Sequence, residues 1–135
     1  MVVSSQVFAE LNSWLRLRHE WGRADCVTVL ADWVLRVRGF DPMAGLRLTY
    51  GSAGECERVT RFFSAPVALF ASRLEPMLAR TDSPRRGDVA VLRGLDGRPC
   101  GGLCLGAHWG SFFESGGAMA WRPPVIEAAW RVLDG

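Results

Sequence analysis

The strongest constraint on the fold is a change of hydrophobic period near Pro84. Before this residue, apolar side chains such as Val27, Leu30 and Val34 recur every three or four positions, which is typical of a helix. After it, short apolar runs are separated by glycine-rich turns, which is typical of antiparallel strands. Helices followed by a strand meander predict an α+β domain, with N-terminal helices packed on one face of an antiparallel sheet.

The boundaries of these elements follow from capping and turn residues. The predicted helices cover about residues 7–18, 27–37, 54–63 and 66–79. Ser4 and Ser5 are the candidate caps of the first helix. Phe8, Leu11 and Leu15 are predicted to form the buried face of the first helix. The predicted strands cover 89–92, 100–106, 111–114 and 118–122, and residues 128–133 form either a closing strand or a short helix.

Length and composition limit the classes of protein. The chain has 135 residues, 49% hydrophobic and 22% charged, which predicts a single domain over residues 1–135. The net charge of +2 and the absence of a long basic run argue against nucleic acid as a partner. No apolar run approaches the roughly 18 residues of a membrane span, and no export signal is expected.

The four cysteines are Cys26, Cys56, Cys100 and Cys104. Without an export signal, structural disulfides are not expected. Zinc and iron–sulfur sites usually show paired short spacings, whereas only Cys100 and Cys104 are close in sequence. We therefore expect no metal and no cofactor.

Residues 19–26 lead directly into the second predicted helix. Asp25 is a candidate N-cap, which places Cys26 in the first turn. Unpaired N–H groups and the positive end of the helix dipole lower the pKa of a thiol there, so Cys26 is a candidate nucleophile. The alternative is that Cys26 fills space in the core as a small hydrophobic side chain.

A resemblance adds to this pattern. Residues 21–26, with Trp21-Gly22 and then Asp25-Cys26 opening a helix, resemble the nucleophile segment of the NlpC-type cysteine peptidases, a papain-like family that cuts peptidoglycan stem peptides. The family pattern continues as Gly-Asp and an apolar strand, matched by residues 87–92. It then has a strand that starts with the catalytic histidine, matched by residues 100–106.

Cys100 occupies the position where the resemblance implies the catalytic histidine. A thiol cannot act as the general base that an imidazole supplies near neutral pH. The chain has two histidines, and His108, two residues beyond Gly106, is the candidate base, with His19 the less favoured choice. For both histidines the alternative is a surface or locally hydrogen-bonded role.

Over nearly its full length the chain resembles small phage and gene-transfer-agent tail proteins of the NlpC-like fold. The features that carry this are residues 21–26, 41–42, 46–47, Tyr50, 87–89, 102–106 and 130–131. The resemblance implies a tail-tip or baseplate component of the virion with a degenerate peptidase site, bound to a hub or fibre protein. The alternative is an active peptidoglycan endopeptidase that acts during DNA entry.

The partner surface is predicted from large apolar side chains around a glycine-rich hairpin. They are Trp109, Phe112, Phe113, Met119 and Trp121. Successive strand residues point to opposite faces, so Phe112 and Phe113 cannot both face one core. One of the two is expected to contact a partner, unless a helix covers the second face.

Overall fold

The computed structural model describes residues 3–133, with side chains from residue 5 onward. Its helices are α1 (Val3–Trp14), α2 (Thr28–Arg38), α3 (Ala53–Thr60) and α4 (Pro66–Leu74). Its strands are β1 (Arg80–Thr81), β2 (Val89–Arg93), β3 (Pro99–Cys104), β4 (Trp109–Phe113), β5 (Gly117–Trp121) and β6 (Val125–Trp130). All described strand pairs are antiparallel, in the order β1-β6-β2-β3-β4-β5, and the predicted α+β class is confirmed.

The buried face of α1 differs from the prediction. Val7, Glu10 and Trp14 are at most 5% exposed, whereas Phe8 and Leu15 are 41% and 66% exposed. Glu10 tolerates burial because both of its carboxylate oxygens accept hydrogen bonds from the Arg36 guanidinium. The helix therefore turns its Val7–Trp14 stripe inward and ends before Leu15.

The closing segment of the chain is the strand β6, which lies inside the sheet. It pairs with β2 on one side, where Ala129 faces Ala90, and with the two-residue β1 on the other. A simple meander would have placed it beside β5. Within residues 3–133, no helix combines the length and apolar character that a bilayer crossing requires.

The sheet has two buried faces of unequal size. The helices cover the face that carries Val91, Leu103 and Phe112, which belong to the main core. The opposite face holds a smaller apolar cluster, formed by Ala90, Leu92, Cys104, Trp109 and Ala129 with Trp121 at its border. The helical layer therefore lies on one side of the sheet.

Asp88 ties the start of β2 to the segment that follows β6. Its carboxylate is fully buried, and Oδ2 accepts hydrogen bonds from the Arg85 N–H at 2.9 Å and Arg131 Nε at 3.0 Å. Oδ1 accepts from the Val132 N–H at 3.2 Å. The burial of this charge is compensated by an ion pair and two backbone donors.

We expect Asp88→Ala to lower the free energy of unfolding by about 2–4 kcal/mol, because it leaves buried donors without an acceptor. Urea denaturation of both proteins measures the change. Asp82→Ala, at an exposed carboxylate nearby, is the matched control and should stay within about 0.5 kcal/mol of the parent chain. Equal stabilities of the two variants would contradict the assigned role of Asp88.

Candidate functional site

Asp25 organises the loop that precedes α2. Its Oδ1 accepts hydrogen bonds from the backbone N–H groups of Val27 and Thr28, at 3.0 and 2.9 Å. These are the bonds of an N-cap residue, although the regular helix begins at Thr28. Oδ2 accepts from the Gly22 N–H at 2.9 Å and from the Tyr50 hydroxyl at 2.8 Å. The carboxylate, only 2% exposed, therefore joins three segments of the chain.

Gly22 allows the loop to pack closely against the segment around Tyr50. Its φ is +80°, and a Cβ at this position would lie 2.6 Å from the Tyr50 carbonyl oxygen. The Gly22 carbonyl in turn accepts a hydrogen bond from the Leu48 N–H. Only glycine fits both the backbone conformation and the available space.

Cys26 is partly exposed at the start of α2, but its thiol is not activated. Burial raises the pKa of Cys26 well above its usual value, and the nearby Cys100 and Asp25 raise it further, while a backbone hydrogen bond from Gly101 lowers it. The shift is opposite to the one expected from the helix start. The main physical reason is burial, which disfavours the charged thiolate; in addition, Asp25 binds the N–H groups at the helix start and places a negative charge near the sulfur.

Cys26 opens into a cleft of about 550 Å³. Six rings line it: His19, Trp21, Phe63, Phe112, Phe113 and Trp121. The β2–β3 hairpin forms another wall, where Arg98 lies over the Phe63 ring at 5.9 Å. Such a surface combines apolar contact area with a few polar groups, as ligand sites usually do.

The two histidines are placed differently from the prediction. His19 lines the cleft, with its ring centroid 4.8 Å from that of Trp21 and 5.9 Å from that of Phe112. His108 is exposed in the turn between β3 and β4 and does not line the cleft. Cys26 contacts β3 at Gly101, near the start of the strand. His108 follows the other end of β3 and is therefore not placed to act as the base for Cys26. Among the described residues, neither imidazole makes a hydrogen bond to the Cys26 sulfur.

Cys100 lines the same cleft as Cys26. Its thiol donates to Ser111 Oγ at 3.4 Å, and burial raises its pKa to about 11. Ser111 Oγ also accepts from Trp121 Nε1 and donates to the Gly101 carbonyl at 2.8 Å. At neutral pH the position that resembles the catalytic histidine therefore holds a protonated thiol, which is not a base.

The predicted partner residues divide into buried and accessible ones. Trp109 and Phe112 are 5% and 1% exposed, so the structure leaves neither side chain accessible to a partner, and of the two adjacent phenylalanines Phe113 is the accessible one. Phe112 packs in the main core and Trp109 in the cluster on the opposite face. Phe113 is half-buried with its ring 5.5 Å from Trp121, and Met119 is 49% exposed. The expected alternation of Phe112 and Phe113 is confirmed.

Residues 3–132 match a known family, described as a domain of unknown function (DUF6950). The chain belongs to the DUF6950 family. No curated protein matches this DUF6950 chain. Among its described residues, no three His, Cys, Asp or Glu side chains are grouped to hold a metal ion.

We expect Asp25→Ala to destabilise this DUF6950 protein by about 3 kcal/mol, because four donors lose one buried acceptor. Tyr50→Phe removes a single hydrogen bond to the carboxylate and should cost about 1–2 kcal/mol. Urea denaturation measures both changes. Glu114→Ala removes an exposed carboxylate from the cleft rim and is the control, with little expected effect. A neutral Asp25→Ala variant would show that the network does not stabilise the fold.

Proposed function

We propose that this protein is a structural component of a phage or phage-like tail tip or baseplate, built on an NlpC-like domain with a degenerate cysteine-peptidase site. The observation that carries the proposal is the state of Cys26. It lines a cleft of aromatic rings, its pKa is raised, and within residues 3–133 no imidazole is hydrogen-bonded to its sulfur. The position is that of a nucleophile, whereas the surroundings are those of an unreactive thiol.

The arrangement of α2 and β3 supports the NlpC-like, papain-like assignment. In that fold a cysteine at a helix start lies against an antiparallel sheet. Here the Cys26 carbonyl oxygen lies 2.5 Å from the position that a Gly101 Cβ would occupy, so the two backbones are in contact. The order of helices before strands agrees with the same fold. Asp25 and Asp88, which belong to the resembling motifs, both have structural roles: Asp25 accepts a hydrogen bond from the start of α2, and Asp88 accepts one from Arg131 after β6.

A peptidase mechanism needs a thiolate and a base that accepts its proton. Neither Cys100 nor His108 supplies that base, because one is a buried thiol and the other lies outside the cleft. The cleft itself keeps its volume and its aromatic lining. A cleft that is present without a catalytic base supports a site that binds a partner and does not cleave it.

The partner in this proposal is another tail-tip protein, such as a hub or fibre protein, and the location is the virion tail. Phe113 and Trp121 are the candidate contacts, since both are partly accessible and both line the cleft. Met119, on the neighbouring strand, extends this accessible surface. Burial of such aromatic side chains is a usual source of binding energy between proteins.

The second candidate is an active cell-wall endopeptidase, favoured by one observation. His19 lines the same cleft as Cys26, so it replaces His108 as the candidate base. Peptidoglycan would then be a partner as well as a substrate. Peptide release from peptidoglycan that disappears in both Cys26→Ala and His19→Ala would establish this candidate in place of the first.

The test of the first candidate is the protein content of particles purified from the bacterium that encodes the chain. We expect the chain in purified tails, and we expect Phe113→Ser to reduce its incorporation at least tenfold while costing only about 1 kcal/mol of stability. Met77→Ser, at a side chain that is 57% exposed and outside the cleft, is the matched control and should incorporate normally.

Two results would contradict the proposal. Absence of the parent chain from purified particles would exclude a structural role in the tail. Normal incorporation of Phe113→Ser would exclude the Phe113 surface as the contact with the partner.

A further inference from the structure

The strand β5 forms an open edge of the sheet. It pairs with β4 through all five of its residues and, within residues 3–133, with no other strand. Edge strands are usually kept from pairing with another chain by being short, or by charges, prolines or bulges. The other edge strand, β1, has only two residues, one of them Arg80. In contrast, β5 contains no charged residue and no proline, and its register with β4 is regular.

The backbone of β5 is hydrogen-bonded on one side only. The Leu105 N–H donates to the His108 carbonyl, so even-numbered residues from His108 onward direct their backbone polar groups towards β3. Odd-numbered residues of β4 therefore bond β5, and the register pairs them with odd-numbered residues of β5. The N–H and C=O groups of Ala118 and Ala120 consequently point away from β4, towards the open edge.

The side chains along this edge leave room for a neighbour. Met119 is 49% exposed, and Ala120 is exposed as well. A Cβ built on Gly117 would meet no atom within 4 Å. The edge therefore combines unused backbone groups with small or flexible apolar side chains, which a second strand could cover.

Opposite charges lie beyond the two ends of β5. Glu114 is in the turn that precedes the strand, and Arg122 directly follows it. Both residues are exposed, and neither forms an ion pair with another described residue. If a second β5 lies antiparallel to the first, the turn of each copy is beside Arg122 of the other. The charges of this edge are therefore complementary to the same edge of another copy.

We propose that β5 pairs antiparallel with β5 of a second copy of this chain, about a two-fold axis at Met119. In this register Ala118 of each copy exchanges backbone hydrogen bonds with Ala120 of the other, and the contact is the same for both copies. Glu114 and Arg122 then form one ion pair at each end. The proposal goes beyond the proposed tail function, because it depends only on the β5 edge and its flanking charges.

The first experiment measures the mass of the full chain by analytical ultracentrifugation over about 5–500 µM protein. We expect a reversible monomer–dimer equilibrium with a Kd of about 10–100 µM, because one strand pair buries less surface than a standard interface. Amide hydrogen exchange of Ala118 and Ala120 should slow as the concentration rises. The Met119 amide, which faces β4, should change little. These measurements use the parent chain and do not depend on the folding of any variant.

A proline tests the backbone hydrogen bonds. Ala120→Pro removes an N–H that points to the open edge, a position where an edge strand tolerates proline. We expect it to raise the Kd of the dimer at least about tenfold. Ala120→Thr keeps the N–H and is the matched control, with a Kd near that of the parent chain.

A charge exchange tests the register and uses only exposed positions. Glu114→Arg alone and Arg122→Glu alone place like charges at both ends of the dimer, so each should raise the Kd at least about threefold at low salt. The double variant restores both pairs and should return the Kd close to the parental value.

Three results would overturn the proposal. A parent chain that stays monomeric up to about 500 µM would exclude this dimer and would leave the edge to a strand of another protein. A dimer that Ala120→Pro leaves unchanged would show that the copies associate elsewhere. A double charge variant that dimerises no better than the single ones would exclude the antiparallel register.

Discussion

The structure of the loop before α2 depends on one buried carboxylate. Asp25 accepts hydrogen bonds from the start of α2, from the Gly22 N–H in the preceding loop and from the Tyr50 hydroxyl. Water cannot supply these bonds at a residue that is 2% exposed, so the position of the loop relative to the helix is fixed by this side chain. The position of Cys26, the next residue, follows from it.

The same carboxylate opposes the activation of Cys26. A helix start stabilises a thiolate only when its N–H groups and its dipole are free to act on the sulfur. Here the N–H groups of Val27 and Thr28 bind Asp25, and the carboxylate adds a negative charge beside the thiol. Cys100 on the facing strand contributes a buried thiol in place of a base. Cys26 therefore lies beside a helix start but lacks the electrostatic environment that would activate its thiol.

The sequence predicted the elements better than their environment. The α+β order, the α2 face and the Asp25 cap followed from local periodicity and capping residues, which depend on neighbours in sequence. The position of β6 between β1 and β2 and the inward turn of Glu10 depend on contacts distant in sequence, which no local pattern reports. The same limit applies to the site: Tyr50 lies 25 residues from Asp25, and no local pattern predicted their hydrogen bond. The placement of His19 in the cleft, with His108 outside it, could not be predicted for the same reason.

Cys26 remains a protonated thiol at neutral pH, because its pKa is raised well above the usual value. Thiolate absorbance near 240 nm, recorded against pH for the parent chain and for Cys26→Ser, isolates the titration of this one residue in the difference between the two curves. We predict no Cys26 thiolate signal below about pH 8.5, because burial and the Asp25 carboxylate raise its pKa above that of a free cysteine. A Cys26 transition below about pH 7 would show an activated nucleophile and would contradict the account.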